Sequence, residues 1–303
     1  MTVRYPLDLH LHSTFSDGLL TPPALCAHGA AAGLTVLALC DHDTVDGLAP
    51  MAAAVEEHNR LFPSGAPLRF LPAIEVSSGP GGRTHVLGYG ADPEDPALRA
   101  FLAATVKDRR ERAGGILARL RAEGVVLSPE ALARLDTPAV GRAHIARELV
   151  ACGAVHTMAQ AFGRYLAEGK SCYVPRKVPT ALETVQMLRH AGAVPVLAHP
   201  LRLGLEEPAQ YMLIRELREA GLLGVEAYHP SADRAGAARL AHFARSQGLL
   251  ATGGSDFHGD ANARVSMGRM PAGWTAWQSD LAALESAART GAAAVRNEER
   301  EER

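Results

Sequence analysis

Cysteine is scarce in this chain, with four in 303 residues (Cys26, Cys40, Cys152 and Cys172), and no two of them form a Cys-x-x-Cys pair. This excludes a disulfide framework or a cysteine-held zinc knuckle and leaves buried thiols in a reducing compartment as the expectation. No stretch approaches ~18 consecutive apolar residues, so no membrane partner is expected. Met1 to Pro6 leads into an Asp/His-rich segment in place of the apolar core of a signal peptide, and a cytoplasmic location is expected. A dominant charge sign is also lacking: 31 Lys+Arg against 33 Asp+Glu give a net charge of −2, which excludes a generally basic nucleic-acid binder. With 47% hydrophobic and 21% charged residues, collagen-like, coiled-coil and wholly disordered chains are excluded as well. Histidine, in contrast, is plentiful, at 13.

Four times a helix-like segment ends in glycine and passes through a short apolar run to a His or Asp. These are Gly33 into Thr35–His42, Gly192 into Val194–His199, Gly221 into Leu223–His229, and Gly248 into Leu249–Asp256. Glycine past a helix end supplies a left-handed cap, and a short apolar run after it reads as a buried parallel strand. Leu7–His12, Leu68–Ser77 and Thr84–Gly90 raise the strand candidates to seven, and the fold class is α/β. Polar residues recur at strand C-terminal ends, the face on which parallel barrels build their sites. Residues 1–96 and 179–303 carry this pattern. Residues 97–178 read instead as a helical insertion with 14 Lys+Arg against 7 Asp+Glu, so a net +7 insertion sits on a net −9 barrel. The charge run Asn297–Arg303 reads as a solvated, frayed end.

Asp8, His10 and His12 alternate with leucines, so on a strand they share one face. Asp17 follows in a loop, His42 ends the next strand, Glu75 interrupts a third apolar strand and His85 begins a fourth. His199 ends the strand after the insertion, and Asp256 and His258 repeat the i, i+2 pairing at the end of the last. These nine residues, His10, His12, Asp17, His42, Glu75, His85, His199, Asp256 and His258, are six imidazoles and three carboxylates without a thiolate. Such a set suits Mn²⁺, Zn²⁺ or Fe²⁺ better than Ca²⁺ or a structural zinc site. Nine ligands serve two or three ions if a carboxylate such as Glu75 bridges. Three divalent ions against three carboxylates leave a formally positive centre, which attracts an anion. His28, His58, His156, His190 and His242 fall in helix-like segments and read as structural or surface residues. Lys107, Arg109, Arg110 and Arg112 on the long helix of the insertion read as a solvated face.

The segments Asp8–Ser13, Ser16–Gly18, Cys40–Asp43, Ala198–Pro200 and Ser255–His258, in this order, resemble the four motifs of the PHP (polymerase and histidinol phosphatase) superfamily. The resemblance implies a distorted (β/α)7 PHP barrel with a metal site of up to three ions, Mn²⁺ first and Zn²⁺ or Fe²⁺ as alternatives, hydrolysing phosphate esters. Gly141–Arg147, Phe162–Lys170 and Tyr173–Pro175 are similar to the branch containing 3′,5′-nucleoside bisphosphate phosphatases and 5′-to-3′ exoribonucleases of short RNA. That branch more often has Pro where Ala143 stands here. Carried over, the resemblance implies one ion at His10, His12, Glu75 and Asp256, a second at Asp17, His42 and His258, and a third at Glu75, His85 and His199. Asp41 and Asp43 are expected to hydrogen-bond imidazoles. Arg142, His144, Lys170 and Tyr173 are the candidates for a second phosphate or the nucleoside, and His229 for a phosphate or leaving-group contact.

The expected reaction is in-line attack on phosphorus by a hydroxide held by the metal, converting a 3′,5′-nucleoside bisphosphate such as pAp into AMP and phosphate. A 5′-3′ exoribonuclease of short 5′-phosphorylated RNA, a histidinol-phosphatase-like enzyme and a metal-stabilised nucleotide-binding module remain alternatives. An amidohydrolase also opens with His-x-His, but many use a carbamylated lysine at a strand end. The three lysines here, Lys107, Lys170 and Lys177, all lie in the insertion. The expected partners are a small phosphorylated nucleotide or short oligonucleotide, with no long duplex, since only a local basic segment is present.

Overall fold

The computed structural model describes residues 2–259 and 265–301. A short strand β1 (Thr2–Arg4) pairs antiparallel with β9 (Arg269–Pro271) at the edge of the fold. The remaining strands are β2 (Leu7–Leu11), β3 (Val36–Leu39), β4 (Arg69–Ser78), β5 (Thr84–Tyr89), β6 (Val194–Leu197), β7 (Gly224–Tyr228) and β8 (Leu250–Gly253). They lie side by side in chain order as one seven-stranded, nearly closed, barrel-like sheet. The sheet is drawn together beyond β8, where Asp256 N donates to His10 O (2.9 Å), His12 N donates to Phe257 O (3.0 Å), and Leu11 and Phe257 form an isolated bridge. Asp8, fully buried, accepts from Ser255 N (2.8 Å) and Gly268 N (2.7 Å) across the same seam.

The strands are buried over most of their length because helices cover the sheet, as near-continuous apolar runs require. Covering helices are α1 (Pro22–Ala31), α2 (Leu48–Leu61), α7 (Ala181–His190), α8 (Glu207–Glu219), α9 (Arg234–Ser246) and α10 (Trp277–Glu301). A capping box starts α7, with Thr180 Oγ1 accepting from Glu183 N and Glu183 Oε2 accepting from Thr180 N. The charge run expected to fray is helical as far as Glu301, and its last two residues lie outside the described residues. No helix among the described residues is long and apolar enough to cross a membrane.

The barrel's distortion lies at β5, which runs antiparallel to both β4 and β6. No α-helix separates β4 from β5; the turn Gly79–Gly82 does so. Gly79 has φ 67°, and a Cβ there would lie 2.7 Å from Thr84 Oγ1. Reversal carries the start of β5 to the end of the sheet where the parallel strands finish. His85 therefore joins residues that follow the other strands.

Between β5 and β6 lie α3 (Pro96–Ala122), α4 (Pro129–Arg134), α5 (Arg142–Ala151) and α6 (Met158–Ala161), followed by a π-helical turn at Phe162–Leu166. Ile116, Leu120, Ile145, Leu149, Tyr165 and Leu166 belong to a second apolar cluster, separate from the cluster on the main sheet. Lys107 and Arg110 are exposed as expected, but Arg109 and Arg112 are buried, which corrects the reading of this face as wholly solvated. Arg112 is covered by Val174 and Tyr173, and Arg109 by a carboxylate from elsewhere in the chain. Asp43, fully buried, receives Arg109 Nε at 2.9 Å and Arg109 Nη2, together with Arg176 Nη1 at 3.3 Å. Burial works against charge on Asp43, but these two guanidinium groups hold its carboxyl well below the usual range. Cys26, Cys40 and Cys172 are buried thiols, whereas Cys152 at the end of α5 is exposed, contrary to expectation. His28, His156, His190 and His242 are exposed and His58 is half-buried; His156 lies between α5 and α6, not in a helix.

Gly254 packs against β2 so closely that a Cβ would lie 2.2 Å from His10 Cβ and 2.6 Å from His10 N. Gly254→Ala is expected to cost roughly 1–3 kcal/mol through this collision. A thermal melt of the metal-free variant checks it, and an unchanged Tm contradicts it.

Candidate metal centre and substrate cleft

All nine candidate ligands meet at one end of the sheet. His10 and His12 sit at the end of β2, His42 follows β3, and Glu75 lies within β4. His85 starts β5, His199 follows β6, and Asp256 and His258 follow β8. Asp17 lies in the loop after β2, and this loop is organised by Asp41. Asp41 accepts from Ser13 N (2.7 Å), Ser13 Oγ (2.6 Å) and Ser16 Oγ. Neither Asp41 nor Asp43 hydrogen-bonds an imidazole; one shapes the Asp17 loop and the other receives arginines, which corrects the role expected of both. Sequence adjacency to His42 does not place them near its ring, since neighbouring residues at a strand end point in different directions.

Glu75 is the centre of the arrangement. Its side chain is fully buried, with His10 Nε2 at 3.1 Å, His12 Nε2 at 3.2 Å and His42 Nδ1 at 3.1 Å from Oε2. His85 Nδ1 at 2.8 Å and His199 Nε2 at 3.0 Å approach Oε1. Two further groupings flank it. Asp256 Oδ1 is 3.3 Å from His12 Nε2 and 3.7 Å from His10 Nε2. Asp17 Oδ1 is 3.1 Å from His258 Nε2 and 4.0 Å from His42 Nε2. Donor atoms close enough to share an ion form three sets: His10, His12, Glu75 and Asp256; His12, Asp17, His42 and His258; and His42, Glu75 and His85. His199 stands just outside the third set, beside Glu75.

The donor set fits divalent cations. His10 Nε2, His12 Nε2, His42 Nδ1, Glu75 Oε2, Asp17 Oδ1 and His199 Nδ1 are buried yet make no aligned hydrogen bond. Unpaired buried polar atoms are costly, and cations shared within the three sets would satisfy most of them. The opposite ring nitrogens are held in several cases: His10 Nδ1 donates to Glu226 Oε1 (2.9 Å) and His258 Nδ1 to Asp256 O (2.8 Å), leaving Nε2 of each turned inward.

The buried carboxylates and imidazoles shift one another's ionisation. Burial opposes charge on Glu75, but His42, His10 and His85 hold its pKa well below the ordinary carboxylate value. Burial likewise opposes charge on Asp256 and Asp17, and neighbouring histidines hold both low. His12 is raised to about 10, Asp256 and Glu75 outweighing its burial, while burial pushes His42 down to about 3. Of the non-glycine residues with positive φ among those described, all are here: Asp43 (54°), His199 (27°) and Asp256 (56°). Strained backbone of this kind persists only where the surroundings enforce it.

The donors open onto a cleft of about 770 Å³ lined by Asp17, His42, His85, His199, His258 and Asp256 together with Arg202, His229 and Ser231. His229 Nδ1 accepts from Ser231 N (3.0 Å), which places the proton of the neutral ring on Nε2, 3.5 Å from Asp256 Oδ2. Arg142 and Tyr173 lie together, with the Arg142 guanidinium 5.7 Å from the ring centroid, but neither lines the cleft. His144 Nε2 donates to Ser16 O (2.9 Å) and so supports the Asp17 loop; Lys170 is exposed. Sequence reasoning missed Arg202, whose Nη1 is 2.7 Å from Asp256 Oδ2, and Glu226, a carboxylate inside the apolar run of β7. Glu226 carried the signal that singled out Glu75, a lone acid in a buried strand. Arg202 carried none.

Because Glu75 belongs to two donor sets, Glu75→Ala is expected to lower the metal content by more than one ion per chain. Elemental analysis of the Mn²⁺-reconstituted variant checks this; loss of a single ion contradicts bridging.

No family model matches the chain. The chain is 38% identical over 255 residues to a 3′,5′-nucleoside bisphosphate phosphatase of Chromobacterium violaceum, covering 83% of this chain and 87% of the relative. It is 33% identical over 290 residues to a 5′-3′ exoribonuclease of Haemophilus influenzae, covering 94% and 97%. Among solved structures, an amidohydrolase from Chromobacterium violaceum with bound sulfate superposes with a TM-score of 0.82 at 34% identity over 93% of this chain and 97% of the other. A candidate metal-dependent phosphoesterase from Bifidobacterium adolescentis gives 0.79 at 28% identity over 93% and 96%. Relatives this similar over nearly their whole length, on a barrel with this donor set, place the chain in the PHP superfamily of metal-dependent phosphoesterases, in the branch of nucleoside bisphosphate phosphatases and 5′-3′ exoribonucleases.

Proposed function

We propose that the protein removes a phosphate from 3′,5′-nucleoside bisphosphates, with His10, His12, Asp17, His42, Glu75, His85, His199, Asp256 and His258 holding two or three divalent ions, Mn²⁺ foremost. The bound ions would supply Lewis-acid charge at the phosphoryl oxygens and acidify a water for attack. The chain's own residues provide the rest. His229 offers its Nε2 proton to the leaving or non-bridging oxygen, its tautomer set by Ser231 N. Arg202 adds positive charge at the cleft wall.

The observation that carries a substrate with a second phosphate is a surplus of guanidinium groups beside the donor cleft. Arg112 is buried, donates Nε to Val174 O (2.7 Å), and leaves Nη2 without a partner. Burial, together with Arg142 and Arg176, depresses its pKa to about 10. Arg112 and Arg142 both lie against Tyr173, at 5.7 Å from the ring centroid. The glycine turn joins this group to the cleft: Gly82 O faces His85 Nε2 at 3.2 Å, and a Cβ on Gly81 would lie 3.3 Å from Tyr173 Oη. A phosphate dianion would satisfy Arg112 and offset the mutual repulsion. Arg142, Tyr173 and the exposed Lys170 are therefore assigned to the non-reacting phosphate, and His144 to support of the Asp17 loop. The domain boundaries 1–96 and 179–303 against 97–178 are part of the same reading, the insertion supplying the second phosphate's contacts. A cytoplasmic setting is part of the same reading.

One observation favours a second reading: the exoribonuclease of Haemophilus influenzae is matched over almost its full length, insertion included. The same arginines would then hold the terminal 5′-phosphate of a short RNA. Phosphate and nucleotide release from pAp, short 5′-phosphorylated RNA and histidinol phosphate with Mn²⁺ separates the two. Turnover of pAp is expected to dominate and to be abolished in Asp17→Ala; failure on all three substrates overturns the reading. Arg142→Ala is expected to raise KM for pAp roughly 10- to 150-fold, the equivalent of about 1.5–3 kcal/mol for a hydrogen bond to a charged group, with a smaller effect on a simple monophosphate ester.

A further inference from the structure

Glu226 occupies the middle of β7, where its carboxylate is 1% exposed and both oxygens are used. Oε1 accepts from the His10 ring at Nδ1 (2.9 Å), and Oε2 accepts from the backbone N of His199 (2.8 Å). These partners sit at the ends of two different strands, β2 and β6, and belong to the metal-facing set. The two imidazoles lie nearly parallel, with centroids 5.7 Å apart and planes 16° apart. His199 also holds a φ of 27°, a conformation that its hydrogen bond to Glu226 helps to fix. Pairing of β7 with β8 shifts register between Glu226 and Tyr228, directly beside this carboxylate.

We propose that Glu226 is a positioning residue which sets the proton of His10 on Nδ1 and the backbone of His199 together, so that one buried carboxylate prepares two metal-facing side chains at once. The inference rests on the metal-site reading above. Hydrogen-bond valence dictates the arrangement. An ionised carboxylate only accepts, so both of its partners must donate. A neutral imidazole that donates from Nδ1 presents a lone pair at Nε2, and His10 Nε2 is the atom turned toward Glu75 and Asp256. A glutamine of the same length cannot do this. Its single oxygen serves the obligate donor, His199 N, and its amide N–H then faces His10 Nδ1. His10 must accept there and carry its proton on Nε2, where it blocks coordination. The reverse orientation sets the amide N–H against His199 N and loses that bond instead. Shape and volume are unchanged, so Glu226→Gln separates proton placement from packing.

The test uses Zn²⁺, which is diamagnetic, on the full chain. Elemental analysis counts the ions, a competition titration reads their affinity, and long-range ¹H–¹⁵N spectra of ¹⁵N-histidine protein, assigned with His10→Gln, report the His10 tautomer. Expected in the wild type is a His10 ring with a slowly exchanging Nδ1 proton and Zn²⁺ on Nε2. Glu226→Gln is expected to lose that proton signal and to bind the ion at His10 roughly 10- to 100-fold more weakly. Glu226→Asp, still an acceptor only, is expected to keep the Nδ1 proton and recover part of the affinity. Wild-type protein that binds no Zn²⁺ defeats the metal-site reading itself. If the wild type binds Zn²⁺ normally, the inference is overturned by a His10 ring without an Nδ1 proton. That wild-type result stands even if neither variant folds. Equal affinity in Glu226→Gln and the parent, or equal losses in the Gln and Asp variants, also overturn it.

Discussion

Glu75 is a carboxylate without solvent exposure and with five imidazole nitrogens within 3.2 Å, and the organisation of this end of the barrel follows from that crowding. Two carboxylate oxygens present about four lone-pair sites, so five ring nitrogens cannot all be satisfied by hydrogen bonds to it. Several are left buried without an aligned partner. Shared cations resolve this conflict, because an ion turns facing donor atoms from competitors into ligands of one charge. The polar knot is therefore suited to holding metal, on a scaffold that keeps the donors together.

That scaffold depends on the seam and on reversed β5. Asp8 and the Asp256–His10 backbone bond tie the end of β8 to β2, bringing two pairs of candidate ligands from opposite ends of the sequence together. The antiparallel β4–β5 pair places His85 next to Ser77 and within reach of Glu75. A regular parallel strand would have carried His85 to the far end of the sheet. Distortion of the barrel is thus what makes the third donor set.

The insertion is fixed to this centre through charge. Asp43, beside His42 in sequence and bonded through its backbone N to Glu75 O (2.9 Å), receives Arg109 from α3 and Arg176 from the return segment. Once buried, these charges can be lost only in pairs without a large penalty, so the insertion is anchored to the strand end that carries the candidate ligand His42. The remaining guanidinium groups, Arg112 and Arg142, are left with too few anions nearby. A phosphoesterase that acts on doubly phosphorylated nucleotides has a use for that surplus.

The α/β class, the seven strands and the nine clustered donors were legible in the sequence, because strand periodicity and terminal glycines are local properties and because packing alone rarely places a His-x-His or a lone Glu in an apolar run. Residues whose role depends on a distant partner were not legible. Arg109 and Arg112 have the helical spacing of a solvated face, and only the arrival of Asp43, Val174 and Tyr173 from elsewhere in the chain buries them. Asp41 and Asp43 flank a ligand in sequence yet face a loop and two arginines. Arg202 gains meaning only through its approach to Asp256; Glu226 did stand out as a lone acid in an apolar run, but its partners His10 and His199 did not follow from that. The sequence by itself determined which side chains could bind metal, since donor chemistry belongs to the residue; the tertiary structure decided which of them share an ion and which nitrogens are turned inward, since these depend on distances between strands that no local pattern encodes.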